Sequence, residues 1–282
     1  MAADSALSTV VAAGSLDCKF ENAANPCGFP APDTGIFFFD DLASVEILGM
    51  TFGFNKVTIL VILGVVIVLA FFLWAFRRPK VVPRGSQNVG EMGYLFVRDG
   101  IAREVIGKDG DKFVPFLFSF FFLVWILNFM GVMPFVNFPA TSVFAIPVAF
   151  ALIVYLTWLP LGIYRQGFVG FFKGMLFPPG VPKPMLILLG PIEFLSNIIV
   201  RPFTHAVRLF ANMFAGHLLL ATFSLASFYL LTFTVVGVLG SVASVAVAVA
   251  ITGFELLIQA LQAYIFTLLT AVYIGGALHA EH

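Results

Sequence analysis

From Val57 to Phe76 the chain runs about 20 residues without a charge, enough at 1.5 Å per residue to cross a hydrocarbon core of ~30 Å. Phe113 to Met133 and Val143 to Ile163 are two further uncharged runs, joined by PFVNFPATS, and they read as a hairpin. Between the first run and this hairpin, Val81 to Lys112 mixes charges with glycine, yet Tyr94, Val97, Ile101 and Val105 recur at helical spacing. That spacing predicts an interfacial helix over 81–112, and an ordinary loop is the competing reading.

The last third of the chain departs from simple spans. Met185 to Val236 holds no convincing turn, and Ser241 to Leu278 adds a second long run. Upright helices of about 50 and nearly 40 residues overshoot a bilayer that ~20 residues cross. Pro191 and Pro202 can kink the first of these runs without ending it. Either each run hides a re-entrant break, or both helices tilt steeply to wrap a curved neighbour. The expected fold is an all-α polytopic membrane protein with about five membrane helices plus the interfacial one.

Composition agrees with that class. With 60% hydrophobic and only 11% charged residues, the chain is too apolar for a soluble globule. Lys+Arg and Asp+Glu balance at 15 each, so the placement of charge carries more than its sum. Residues 1–56 carry Asp4, Asp17, Glu21, Asp33, Asp40, Asp41 and Glu46 against Lys19 and Lys56, an acidic tail. Arg77, Arg78, Lys80 and Arg84 follow the first span directly, and such a cluster stays cytoplasmic. The tail is therefore expected outside the cell membrane and the C-terminus inside. The N-terminal stretch lacks the basic region of a cleaved signal. Cys18 and Cys27 both lie in the tail, either as a local disulfide or as two free thiols.

Between Met185 and Leu278 the only formal charges are Glu193, Arg201, Arg208 and Glu255. Each costs roughly 2.5 to 3.5 kcal/mol at mid-bilayer on insertion scales, so such groups mark function by default. Arg208 and Asn212 stand about one turn apart, while Ala211, Ala215 and Gly216 keep their surroundings small. His217 points to the opposite face, ~13 Å further along the axis. On the last helix Glu255, Gln259, Gln262 and Tyr273 share one stripe.

Arginine keeps its proton in a protein, so Arg208 suits a permanent positive charge, whereas histidine and glutamate titrate. His217 with Glu255 is a candidate proton relay, and a static ion pair is the alternative. Arg208 reads as an electrostatic gate that needs a carboxylate from another chain; pairing with Glu193 or Glu255 of its own chain is the structural alternative. Arg201 could snorkel to an interface and His205 could be a packing histidine. Asn212 and Gln262, with Gln259 after them, could simply bridge helices.

At these residues the sequence resembles subunit a of the rotary F-type ATP synthase. RLFANMFAGH is similar to that family's R-L-x-x-N-x-x-A-G-(E/H) signature, LLIQALQAYIFTLLTAVYI to its last-helix pattern, and NFMGVMP, from Asn128 to Pro134, to its N-x-x-G-x-x-P turn. The likeness covers nearly everything from Val57 onward, and the acidic tail falls outside it. The resemblance implies that Arg208 is the stator arginine, with Asn212 and Gln262 as polar neighbours. It also implies that His217 and Glu255 hold the family's Glu/His pair, here with histidine first. Glu193 resembles a further channel carboxylate, one residue more distant from the arginine than in the family pattern, and Tyr273 the pattern's later tyrosine. The implied partners are a ring of small c-type hairpin subunits, peripheral-stalk b-type subunits and the lipid of the cell's inner (plasma) membrane.

Two other classes fit parts of the pattern. One is a secondary transporter binding an anionic substrate at Arg208, but no two-fold repeat of interrupted spans is visible. The other is a haem anchor on His205 and His217, whose separation of ~18 Å along one helix argues against it. No nucleotide-binding loop, metal-ligand cluster or nucleophile triad is visible, so no cofactor, no nucleic-acid partner and no ATP hydrolysis by this chain itself are expected.

Overall fold

A computed structural model describes residue 37 and residues 43–47, 50–133, 136–176, 183–231 and 235–278. Cys18 and Cys27 lie outside the described residues. The chain divides into two compact units, one holding residues 1–38 and 215–255, the other residues 39–214 and 256–282.

The second unit opens with a feature that charge patterning did not reveal. Strands β1 (Ala43–Ile47) and β2 (Met50–Phe54) pair antiparallel, Ala43 opposite Phe54 and Ile47 opposite Met50. Val45, Ile47, Thr51, Phe52 and Phe54 are β-branched or aromatic and favour strands. The fold is that of an all-α polytopic membrane protein, with this short two-stranded ribbon ahead of its first long helix.

Helix α1 (Lys56–Ala75) starts where the Asn55 side chain accepts hydrogen bonds from the Thr58 backbone N–H at 3.1 Å and its hydroxyl at 3.2 Å. Helix α2 (Ser86–Val97) continues through a π-helical turn (Arg98–Arg103) and one α turn (Glu104–Ile106) into a 3₁₀ segment (Gly107–Lys112). Helix thus replaces the loop reading over residues 86–112, while residues 81–85 are not helical. Of the periodic residues that suggested it, Val97 and Ile101 are fully buried, while Tyr94 remains 39% exposed. Asp111 accepts from Arg103 and Arg98, which hold its carboxyl well below the usual carboxylate range.

Helix α3 (Val114–Phe129) carries phenylalanines on most of its faces and ends at the NFMG turn. There the Asn128 amide oxygen accepts from the Thr141 hydroxyl, and a Cβ on Gly131 would stand 2.9 Å from Pro139 Cβ. Helix α4 (Ala145–Gln166) stops at Gly167, whose φ of +73° suits glycine. Helix α5 (Phe168–Leu176) follows it, and Phe171 packs onto Gly162 so closely that a Cβ there would collide with it.

The run from Met185 is helical as far as Tyr229, but not as one regular α-helix. Helix α6 (Lys183–Leu195) passes through a π turn (Ser196–Val200) into helix α7 (Arg201–Tyr229). Pro202 supplies the reason: it has no N–H for the ladder and its ring crowds the carbonyl four residues back, and a wider turn just before it relieves both. Helix α8 (Val235–Leu278) is 44 residues long and begins six residues before the predicted Ser241. Helix α3, at 16 residues, is the short member, while α1, α4, the run Leu189–Tyr229 and α8 are each long and apolar enough to cross a membrane.

The core of the second unit gathers on the C-terminal part of α8. Val97, Ile101, Ala102 and Ile106 pack with Val114 and Leu117 of α3 and with Ala271 and Ile274 of α8. A neighbouring cluster joins Trp158, Phe171 and Ala277, and the Gln166 amide donates to the Ala277 carbonyl at 3.1 Å.

Candidate functional site

Within the second unit, one face of α7 is apolar and closed: Ala206, Leu209 and Met213 are at most 3% exposed. Arg208 lies on the other side, exposed, in line with exposed Thr204 and Ala211. It makes no ion pair among the described residues, and the same holds for half-buried Glu193. Within the second unit Arg208 is thus not tied to Glu193. Asn212, one turn on, is half-buried.

The stripe on α8 is polar and closed. Gln259 is fully buried and Gln262 is 6% exposed, with Thr267 and Thr270 continuing inward. Both ends of the Gln259 amide lack a hydrogen-bond partner among the described residues, a costly arrangement for a group that merely fills space. Gln259 thus ranks above its standing in the sequence.

His205 and Arg201 gather around Tyr273. The His205 ring is 3.9 Å from that of Phe266 and 5.8 Å from that of Tyr273, and the Arg201 guanidinium stands 5.8 Å from the tyrosine ring. This supports a packing role for His205. It also borders a cavity of about 10 Å³, room for about one water, which Asn197 lines as well, and His205 Nε2 and Asn197 Oδ1 are buried without a hydrogen-bond partner among the described residues. Asn197 escaped sequence reasoning; a polar residue in the turn before Pro202 was the available signal.

The first unit holds the titratable pair. His217 is 8% exposed and Glu255 3%. A Cβ placed on Gly216 would stand 3.1 Å from Glu255 Oε1, so the glycine makes room for the carboxylate beside His217. Spacing had assigned Gly216 to the small surroundings of Arg208; its close approach here is to Glu255. Phe37, from the tail to which the resemblance gave no role, sets its ring edge-on to His217 at 5.8 Å.

A polytopic helical chain with an exposed arginine that makes no ion pair among the described residues on one long apolar helix, and buried amides and a carboxylate on the next, has the make-up of an ion-translocating membrane subunit. Residues 57–275 match the family of the ATP synthase A chain, and the protein belongs to that family. It is 49% identical over 282 residues to ATP synthase subunit a of Streptomyces lividans, covering 100% of this chain and 98% of the relative. The subunit a of Frankia alni is 47% identical over 257 residues, covering 90% and 88% of the two chains. That of a Nocardioides species is 44% identical over 244 residues, covering 84% and 87%.

The Gly216 contact yields a graded expectation. Alanine regains up to about 1 kcal/mol of helix propensity and asks the carboxylate to move a few tenths of an ångström, so Gly216→Ala should be near neutral. Gly216→Val adds branched bulk at an overpacking cost of about 1–3 kcal/mol. Thermal unfolding of the assembled membrane sector checks this, and a valine variant as stable as the parent contradicts the contact.

Proposed function

We propose that this chain is the stator half of the proton path in an F-type ATP synthase, and that Arg208 is the barrier between an outer and an inner half-path. The observation that carries the reading is the exposure of Arg208 on an apolar helix without an ion pair among the described residues. A permanent cation so placed needs a partner from another chain, because leaving it bare in hydrocarbon costs roughly 2.5 to 3.5 kcal/mol or more. A ring of small c-type hairpin subunits, each with one carboxylate at that depth, supplies partners in turn. Helices α7 and α8, too long to stand upright, lie steeply tilted along the ring, and b-type peripheral-stalk subunits hold the stator still.

The chemistry follows from charge. As a protonated ring carboxylic acid approaches Arg208, the guanidinium stabilises its ionised form and lowers its pKa, so the proton leaves into the inner half-path. Once past the arginine, the carboxylate collects a proton from the outer half-path, where Glu255 and His217 relay it and Glu193 contributes a further carboxylate. Asn212, Gln262 and Tyr273 line the way. Arg208 cannot itself carry a proton, so no direct leak joins the halves. Each charge crossing the membrane releases ~2.3 kcal/mol per 100 mV, and several crossings drive the synthesis of one ATP on other subunits.

The acidic tail, residues 1–56, lies outside the cell membrane, span 57–76 leads inward to the interfacial segment 81–112, and 113–133 with 143–163 form the hairpin. The segments 185–236 and 241–278 form the channel, ending with a cytoplasmic C-terminus. The cationic cluster after the first span supports this orientation.

Arg208→Ala should abolish both ATP synthesis and ATP-driven proton pumping while the complex still assembles, as measured in inverted membrane vesicles. Coupled turnover in that variant removes the role given to the arginine. Glu255→Gln and His217→Gln should slow passive proton flow and alter its dependence on pH; a flow-against-pH curve identical to the parent's leaves only a static pair.

A further inference from the structure

The connector between α1 and α2 shapes its charges in a way that membrane orientation alone does not require. Arg77, Arg78, Lys80 and Arg84 line one cleft of about 440 Å³ together with Trp74 and Gln87. The positive-inside tendency explains why cations follow a span, but not why their side chains converge. Convergence comes from a pinned loop. Pro79 and Pro83 restrict its backbone. The buried Gln87 side chain folds back across it, donating to the Lys80 carbonyl at 2.9 Å and accepting from the Lys80 N–H at 3.0 Å. The same amide donates to Glu91 at 2.7 Å, which engages the nearest acidic residue in sequence.

All four cations are exposed and form no ion pair among the described residues, and residues 57–90 contain no Asp or Glu. The charge is therefore uncompensated among the described residues. Its apolar neighbours are equally uncovered: Trp74 is 65% exposed, Val82 65% and Val81 fully exposed. A tryptophan and two valines at the end of a span match the boundary between headgroups and acyl chains.

We propose that this cleft binds the phosphate headgroup of an anionic phospholipid. The guanidinium groups present paired N–H donors that match phosphate oxygens, and the exposed Trp74, Val81 and Val82 accept the start of the acyl chains. A soluble anion uses only the first of these features. A lipid uses both.

The test uses the intact synthase in nanodiscs of phosphatidylcholine doped with a photoactivatable phosphatidylglycerol, with adducts mapped by peptide mass spectrometry. Residues 74–87 should label with saturation, and a phosphatidylcholine probe should not label them. Each cation near an anionic headgroup is worth about a fivefold change in affinity, so Arg78→Gln combined with Arg84→Gln should weaken saturation roughly 30-fold. Parent complexes carrying the subunit at normal stoichiometry, and the variant likewise, supply the samples, so a failure to assemble is separated from a failure to bind; the single variants, at about fivefold each, serve if the double does not assemble. Equal labelling by the zwitterionic probe, or labelling unchanged in the variants, overturns the proposal. Displacement by millimolar inorganic phosphate assigns the cleft to a free anion instead, and cross-links from this segment to another subunit in place of lipid assign it to a protein contact; either also overturns it.

Discussion

A guanidinium that cannot give up its proton, set on the outward face of an apolar helix, is the constraint on which the rest depends. Arg208 is exposed while Ala206, Leu209 and Met213 behind it are closed off. Hydrophobic packing fixes the helix face, and the face fixes where the charge points. The described ion pairs all lie in the segment from Arg98 to Lys112, and none involves Arg208. In the proposed role an unpaired cation at that depth favours ionised acids and repels free cations.

The second unit gives that helix something firm to stand on. The C-terminal part of α8 is a hub that receives Val97 and Ile101 from the segment after the first span, Leu117 from α3 and Trp158 from α4 through its neighbour Ala277. Close approaches at glycine tighten the rest: a Cβ on Gly64 would stand 2.7 Å from Leu127, and one on Gly190 would stand 2.5 Å from the Leu176 carbonyl. Such packing is needed because lipid provides no hydrophobic drive to hold helices together. In the first unit the same device admits a polar group, since the bare Cα of Gly216 makes room for the Glu255 carboxylate.

Much of this was legible in the residues. Uncharged runs pointed to the long apolar helices, and the spacing of Val97 and Ile101 marked a buried helical face, although Tyr94 in the same series stays exposed beside Phe118. The pattern R-L-x-x-N-x-x-A-G-H pointed to the family. Other features depend on contacts that no local pattern encodes. The β1 and β2 pairing joins residues whose alternation is too short to stand out, and the π turn before Pro202 reflects a hydrogen-bond ladder rather than composition. Gly216 serves Glu255 across nearly 40 residues of sequence, and Asn197 meets His205 only at the wall of a cavity. Gln259 looked like a helix bridge, and its full burial without partners became visible only in three dimensions.

The central claim concerns which carboxylate answers Arg208. An electron-microscopy map of the assembled membrane sector, at a resolution that separates side chains, reads that directly. The account predicts the guanidinium facing an acid on a separate ring subunit, with the identity of that subunit changing between rotary states. A guanidinium fixed on Glu193 or Glu255 of its own chain in every state would contradict it.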